Sequence, residues 1–171
     1  MHNLRSVSER KLCAHLMKHM VNGIHNLLIQ MRKTLAIAES CTGGLTSSLL
    51  TQISGSSKYF ILGVVVYSNE AKKIILKVPS SLIKEKGAVS KEVASMMAQQ
   101  IKKIAKTDFG IGITGIAGPT AGTLKKPVGT VFIAIDSKNK RLCKKFLFKG
   151  NRFSIRKKAA LKSLELLRKT L

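Results

Sequence analysis

The sequence contains few cysteines, few aromatic residues and no long apolar run. Three cysteines among 171 residues, at widely separated positions, argue against a disulfide framework or a zinc site. No apolar run approaches the about 20 residues that a membrane-spanning helix needs, and the polar N-terminus lacks a secretory pattern. We therefore expect a protein of the reducing cytoplasm that does not enter a membrane.

Acidic residues are also scarce, because 8 Asp and Glu stand against 31 Lys and Arg, a net charge of +23. Such a charge attracts polyanions and steers phosphate-bearing ligands toward the protein. However, tryptophan is absent and aromatic residues make up only 5% of the chain, so few side chains could stack on bases. Nucleic-acid binding is therefore an alternative and not the expected main role.

Apolar runs alternate with helical periodicities along the chain. The spacing of Ser6 and Glu9 is that of a capping box and predicts an N-terminal helix, within residues 1–33. Strands are predicted from Thr34 onward and at 60–67, 108–113, 129–136 and 141–148, with helices between the first three and at the C-terminus. This order predicts one α/β domain over 1–171. Residues 34–171 would form a three-layer α/β/α sandwich on a mixed, mostly parallel sheet of about five strands.

Polar side chains follow three of these strands. They are Ser40, Cys41 and Thr42 after the first, Tyr67 with the nearby Lys72 after the second, and Thr114 beside Gly115 after the third. In open α/β sheets, ligands bind beyond the carboxyl ends of the strands. If the three strands are parallel, these groups converge on one crevice.

A serine near a lysine, with no evident His or Asp partner, is typical of a nucleophile–base pair. Ser40 would attack the substrate, and Lys72 would accept its proton once burial or a neighbouring cation lowers the pKa of the amine. Tyr67 could relay a proton or orient the lysine. Cys41 is an alternative nucleophile, because side chains do not alternate predictably in a tight turn.

The glycine turn after Ser40 favours the same chemistry. Glycines let the backbone come close to a ligand, so the N–H groups of Thr42, Gly43 and Gly44 could form an oxyanion hole. The alternative is a tight strand-to-helix connection without chemistry.

Two other patterns carry little weight. Gly110-Ile-Gly-Ile-Thr-Gly115 matches a dinucleotide-binding string, but its first two glycines lie inside a predicted strand. His15 and His19 are spaced like metal ligands on a helix, yet no third ligand is near them in the sequence. Neither pattern predicts a cofactor.

Five blocks of sequence are more specific. They are Ala38-Glu-Ser-Cys-Thr-Gly-Gly-Leu45, Val65-Val-Tyr-Ser-Asn-Glu-Ala-Lys72, Gly87-Ala-Val-Ser90, Thr114-Gly-Ile-Ala-Gly-Pro119 and Lys126-Pro-Val-Gly-Thr-Val131. In this order they resemble the CinA C-terminal domain family, which is also called nicotinamide mononucleotide deamidase. The resemblance extends over about 35–167 and implies the stand-alone form, without the N-terminal molybdopterin-binding-like domain of longer relatives.

The resemblance implies an amidase that hydrolyses the carboxamide of nicotinamide mononucleotide, releasing ammonia and nicotinate mononucleotide, with no metal or organic cofactor. The family's nucleophilic serine falls on Ser40, its assisting tyrosine and lysine on Tyr67 and Lys72, and its active-site threonine on Thr114. The resemblance also implies a homodimer with a small nucleotide as substrate. Basic residues would be needed for the phosphate, and the candidates are Lys72, Lys73, Arg152 and Arg156.

One loop departs from the family pattern. Thr120 and Ala121 stand where relatives tend to carry an acidic residue and glycines, in a loop expected near the substrate. Two alternatives therefore stay open. One is a non-catalytic basic module of the same fold that engages nucleic acid or a protein, and the other is an amidase or pyrophosphatase acting on a related nucleotide.

Overall fold

The computed structural model describes residues 7–171, and the predicted cap at Ser6 lies outside them. The elements are, in order, α1 (Val7–Gln30), β1 (Leu35–Glu39), α2 (Leu45–Thr51), a 3-10 turn (Ser56–Lys58), β2 (Phe60–Val65), α3 (Asn69–Leu76), α4 (Ser80–Lys86), α5 (Lys91–Ala105), β3 (Phe109–Gly115), β4 (Thr130–Ser137), β5 (Arg141–Leu147) and α6 (Arg152–Arg168). Within residues 7–171, none of the helices combines the length and the apolar character that a bilayer crossing needs.

The five strands of the described chain form one sheet in the order β2-β1-β3-β4-β5. β1 pairs in parallel with β2 and β3, whereas β4 is antiparallel to both β3 and β5. Of these five strands only β4 therefore runs against the others, which confirms the predicted mixed, mostly parallel sheet. The reason is the connections: helices lie between the parallel strands, and a short turn joins β4 to β5.

Helices cover both faces of this sheet, which confirms the predicted three-layer α/β/α sandwich. On one face α1, α2 and α6 pack over Leu35 and Ile37 of β1, and on the other α3 and α5 pack over Ala36 and Ala38. Because successive strand residues point to opposite faces, a central strand is buried on both sides. This is why all five residues of β1 are buried, including its final residue, Glu39.

Two glycines of β3 let α5 lie close to the sheet. A Cβ atom on Gly110 would lie 2.1 Å from the carbonyl oxygen of Ala98, and one on Gly112 would lie 2.3 Å from that of Ala94. Close helix–strand packing therefore accounts for the first two glycines of the dinucleotide-like string.

Gly110→Ala is expected to lower the free energy of unfolding by about 2–3 kcal/mol, because the added methyl group meets backbone that moves only with α5. Gly23→Ala is the matched control, since a Cβ on Gly23 of α1 would have no heavy atom of the described residues within 4 Å. That control is expected to raise the stability by up to about 1 kcal/mol through helix propensity. Urea denaturation measures both changes, and equal midpoints for the two variants would contradict the packing argument.

Candidate active site

The carboxyl ends of β1, β2 and β3 lie at one edge of the sheet, as their parallel pairing requires. A cleft of about 260 Å³ opens at this edge. Six of the nine predicted site residues line it, namely Ser40, Cys41, Tyr67, Lys72, Thr114 and Gly115. A larger groove of about 630 Å³ lies between α5 and the β4–β5 hairpin, but none of the nine lines that groove. Most of the predicted site residues therefore lie at the smaller cleft.

Ser40 and Lys72 meet in this cleft. Lys72 Nζ lies 3.2 Å from Ser40 Oγ, although the two residues are 32 positions apart in the chain. Ser40 is held at the end of β1 because its N–H donates to the carbonyl of Ile113 on β3 at 2.9 Å. Lys72 lies on α3, whose N-cap is Ser68, and this lysine is only 2% exposed.

Backbone carbonyls surround the amine of Lys72. Its Nζ donates to Val66 O at 3.0 Å and lies 3.4 Å from Ser68 O and 3.5 Å from Tyr67 O. Burial lowers the pKa of Lys72 below its ordinary value of 10.5, an effect that nearby Cys41 opposes. In its neutral form the amine has two N–H groups for carbonyls and one lone pair for the proton of Ser40. The arrangement is compatible with general-base chemistry, and a base role for Lys72 stays a prediction.

Cys41 is the poorer of the two candidate nucleophiles. Its side chain is buried, and burial raises the pKa of the Cys41 thiol to about 12. The thiolate is the reactive form of cysteine, so little of it exists at neutral pH. Ser40 is therefore favoured over Cys41.

Tyr67 lines the cleft and is 58% exposed. Its hydroxyl oxygen accepts a hydrogen bond from Arg152 Nη2, and Arg152 Nη1 donates to Gly118 O at 2.6 Å. The carbonyl of Tyr67, and not its hydroxyl, faces Lys72. Of the four phosphate candidates, Arg152 and Lys72 line the cleft, and Arg152 is the one at its exposed side.

Thr114 and Gly115 end β3 at the cleft. Thr114 Oγ1 donates to Ala88 O at 2.9 Å, which leaves its lone pairs for a bound ligand. A Cβ on Gly115 would lie 2.8 Å from Thr130 O, so the approach of β4 requires a glycine there.

The turn 42–44 is organised differently from the prediction. Gly43 N–H donates to Ser40 O at 3.0 Å, and Gly44 N–H donates to Glu39 Oε2 at 3.1 Å. Both amides therefore already have acceptors in residues just before the turn, which corrects the prediction that they serve as oxyanion donors. Thr42 is buried beside the site, and its carbonyl accepts from Arg156 Nη2 at 2.9 Å. An oxyanion role for Thr42 N–H stays a prediction.

Glu39 belongs to the first of the five sequence blocks, where no role is predicted for it. In the structure its carboxylate binds the turn and the first residues of α2. The sequence does contain a signal for such a role, because Glu39 is an acid at the end of an otherwise apolar strand. An acid is rarely buried unless hydrogen-bond donors or a cation bind its carboxylate.

Thr120 and Ala121, which depart from the family pattern, both line the cleft. Ala121 adopts a φ of 68°, in the left-handed region that favours glycine. An alanine there costs about 1 kcal/mol relative to a residue in an ordinary conformation.

Within the described part of the chain, no group of three His, Cys, Asp or Glu residues is placed to hold a metal ion.

The family model of the CinA C-terminal domain matches residues 17–171. The chain belongs to the CinA C-terminal domain family. A CinA-like protein of Geotalea uraniireducens is 49% identical to it over 138 residues, which are 81% of this chain and 33% of that protein. A CinA-like protein of Thermotoga maritima is 48% identical over 145 residues, 85% of this chain and 35% of that protein. The chain thus spans about a third of the length of these curated CinA relatives.

Solved CinA structures have the same fold. The competence/damage inducible protein CihA from Agrobacterium tumefaciens superposes with a TM-score of 0.87 at 34% identity, covering 90% of this chain and 94% of that one. A CinA superfamily protein from Escherichia coli also superposes with a TM-score of 0.87, at 31% identity, covering 91% of this chain and 90% of that one. The two CinA structures are thus matched over nearly their whole length.

Proposed function

We propose that this CinA domain hydrolyses the carboxamide of nicotinamide mononucleotide to nicotinate mononucleotide and ammonia. The observation that carries the proposal is the 3.2 Å contact between Ser40 Oγ and the amine of Lys72 in a cleft. The family resemblance supplies the substrate, and the contact supports the reaction type.

In the proposed reaction, neutral Lys72 removes the proton of Ser40 while Oγ attacks the amide carbon. The tetrahedral intermediate then collapses, and the ammonium group of Lys72 returns the proton to the departing nitrogen, so that ammonia leaves. Water attacks the acyl-enzyme with Lys72 again as the base, which releases the carboxylate and restores Ser40. We place Thr42 N–H near the developing oxyanion and Thr114 Oγ1 as an acceptor for the substrate's amide N–H.

The walls of the cleft suit the other parts of this substrate. Ala88, Val89, Ile116 and Ala117 supply small apolar surfaces on which the pyridine ring can lie. Arg152 brings a guanidinium group to the exposed side of the cleft, where it can bind the phosphate through two N–H groups. The net charge of +23 would attract such an anionic substrate.

An ammonia-release assay with purified protein tests the proposal directly. Nicotinamide mononucleotide is expected to release ammonia, and mass spectrometry of quenched enzyme is expected to find a nicotinoyl adduct on Ser40. Absence of ammonia release from nicotinamide mononucleotide would contradict the proposal.

Arg152→Ala is expected to raise KM for nicotinamide mononucleotide about 10- to 100-fold with a smaller change in kcat, because a charge-assisted contact to the phosphate is lost. Nicotinamide riboside lacks the phosphate, so its kinetics are expected to change little. Lys157→Ala, an exposed change on the same helix outside the cleft lining, is the matched control. Equal losses for the nucleotide and the riboside would show that Arg152 acts on Tyr67 or on the loop instead.

The charge distribution favours a second candidate function, a non-catalytic module that binds nucleic acid. Residues 138–171 carry 13 basic residues and one acid. Such a module would bind DNA or RNA with a steep salt dependence and release no ammonia.

A third candidate function is an amidase or pyrophosphatase with another substrate. A panel of related nucleotides, assayed for ammonia and for phosphate, distinguishes it from the proposed function.

We further propose that the protein is a cytoplasmic homodimer, as the family resemblance implies. Analytical ultracentrifugation at several protein concentrations tests the dimer.

A further inference from the structure

Glu39 is a buried acid that the proposed mechanism does not use. It ends β1 directly before Ser40 and is 0% exposed. Its Oε1 accepts from Ser47 N–H at 2.8 Å and from Ser47 Oγ at 2.7 Å. Its Oε2 accepts from Gly44 N–H and from Thr46 N–H, both at 3.1 Å. Each carboxylate oxygen therefore takes two hydrogen bonds from neutral donors.

These bonds take the place of an ordinary helix cap. The first N–H groups of a helix lack partners within the helix, and a Ser, Thr, Asp or Asn just before it usually binds them. In α2 the N-cap is Gly44, with a φ of 90° and no side chain that could do so. The carboxylate of Glu39 supplies the cap from the end of the preceding strand. It thereby closes the loop 40–43, which contains the nucleophile.

The main chain of Glu39 connects to the lysine as well. Glu39 O accepts from Val66 N–H at 2.8 Å, and Val66 O accepts from Lys72 Nζ at 3.0 Å. Glu39 is thus linked to both members of the pair. Its carboxylate binds the turn that follows Ser40, and its main-chain carbonyl binds Val66, whose own carbonyl accepts from Lys72.

The direction of the carboxylate also matters for Lys72. A carboxylate bonded to the lysine would stabilise its ammonium form and disfavour its use as a base. Among the described residues, Glu39 is bonded instead to amides and a hydroxyl of α2 and its turn, while Lys72 Nζ is bonded to carbonyls and to Ser40. Glu39 is therefore buried near the site without forming an ion pair with Lys72.

We propose that Glu39 is a positioning residue whose carboxylate, by capping α2 from the end of β1, holds the Ser40 turn where Oγ meets Lys72 Nζ. The inference rests on the proposed function for its kinetic readout. A second readout, the labelling of Ser40 by a fluorophosphonate, requires an activated serine but no recognition of the nucleotide.

The test is Glu39→Gln, which keeps the size of the side chain but places an NH₂ group opposite two donors. We expect kcat for nicotinamide mononucleotide to fall about 10- to 100-fold, with KM changed less than about twofold, because the nucleophile is displaced while the binding surfaces stay. The fluorophosphonate labelling rate of Ser40 is expected to fall by a similar factor. Circular dichroism at the assay temperature confirms that the variant is folded.

Thr51→Ala is the matched control, because Thr51 lies at the far end of α2 and its hydroxyl bonds only to carbonyls of that helix. We expect its kcat and labelling rate to equal those of the wild type. A folded Glu39→Gln protein with wild-type kcat and labelling rate would overturn the inference.

Three further outcomes are decisive. If Glu39→Gln does not fold, Ser47→Ala removes one of the four bonds, and a labelling rate unchanged from wild type would overturn the inference. If the wild type is labelled at Ser40 but releases no ammonia from nicotinamide mononucleotide, the proposed function fails while the labelling comparison still tests Glu39. If wild-type Ser40 is not labelled, the positioning role fails as well.

Discussion

Replacing Ser40 by alanine is expected to lower the rate of ammonia release from nicotinamide mononucleotide by about 10⁴-fold or more, because the acyl-enzyme cannot form without the hydroxyl. The stability is expected to change little. The bond between Ser40 and β3 is made by its backbone N–H, and its side chain bonds to Lys72. An ammonia assay combined with thermal unfolding therefore separates lost chemistry from lost structure.

Two variants serve as controls for Ser40→Ala. Ser48→Ala changes an exposed serine of α2 outside the cleft lining and is expected to keep the wild-type rate. Cys41→Ala is expected to keep the rate within about tenfold, because a buried thiol with a raised pKa forms little thiolate. If Cys41→Ala instead lost all activity while Ser40→Ala kept it, the nucleophile would be the thiol.

Lys72→Met is expected to lower kcat by about 10³-fold, within the range of losses seen when a general base is removed. Methionine has a similar length but cannot accept the proton of Ser40. Removing a buried amine stabilises the fold, whereas leaving Val66 O without its donor destabilises it. These two effects oppose each other, so we expect the stability to change by less than about 2 kcal/mol.

The neighbouring lysine gives a matched control. Lys73→Met changes a side chain that is paired with Glu70 and does not line the cleft, so its kcat is expected to equal that of the wild type. If both variants lost activity equally, the loss would come from the charge of α3 and not from a base at Lys72.

The pH dependence of activity follows from the state of Lys72. Only the neutral amine accepts the proton of Ser40, so kcat is expected to rise with pH through the pKa of Lys72. Because burial lowers that pKa, the rise lies below the ordinary lysine value of 10.5. A pH–rate profile measures it, and Lys72→Met is expected to lack this limb in its residual activity.

The lowered pKa of Lys72 also makes the free energy of unfolding rise with pH. Between the lowered pKa of folded Lys72 and its ordinary value of 10.5, the unfolded chain binds more protons than the folded one. The destabilisation due to Lys72 is therefore fully present below the folded pKa and disappears as the pH rises to the unfolded value. Urea denaturation of the wild type and of Lys72→Met along a pH series is expected to show this difference in slope.

The order of the strands and helices was readable from the sequence because it depends on neighbouring residues. Short apolar β-branched runs predict buried strands, and the helices between β1, β2 and β3 imply parallel pairing. Parallel pairing in turn places Ser40, the end of β2 and Thr114 at one edge of the sheet. The predicted cleft follows from these local signals, and the family match over residues 17–171 confirms the family.

Other features of the site were not readable in this way. Gly43 and Gly44 were predicted to offer their amides to an oxyanion, but Ser40 O and the carboxylate of Glu39 accept from them. Tyr67 was predicted to assist the lysine, yet its hydroxyl bonds to Arg152, which is 85 positions away in the chain. In each case the partner depends on how a turn or a helix end is packed.

The sequence alone determined the layered fold and which side chains could react, because backbone propensity and apolar spacing act over a few neighbouring residues. The tertiary structure alone decided that Lys72 Nζ lies 3.2 Å from Ser40 Oγ, that its pKa is lowered, and that Glu39 caps α2. The physical reason is that hydrogen bonds and burial act over a few ångströms in space. Chain neighbours do not reveal which distant groups the packed helices and strands bring within that distance.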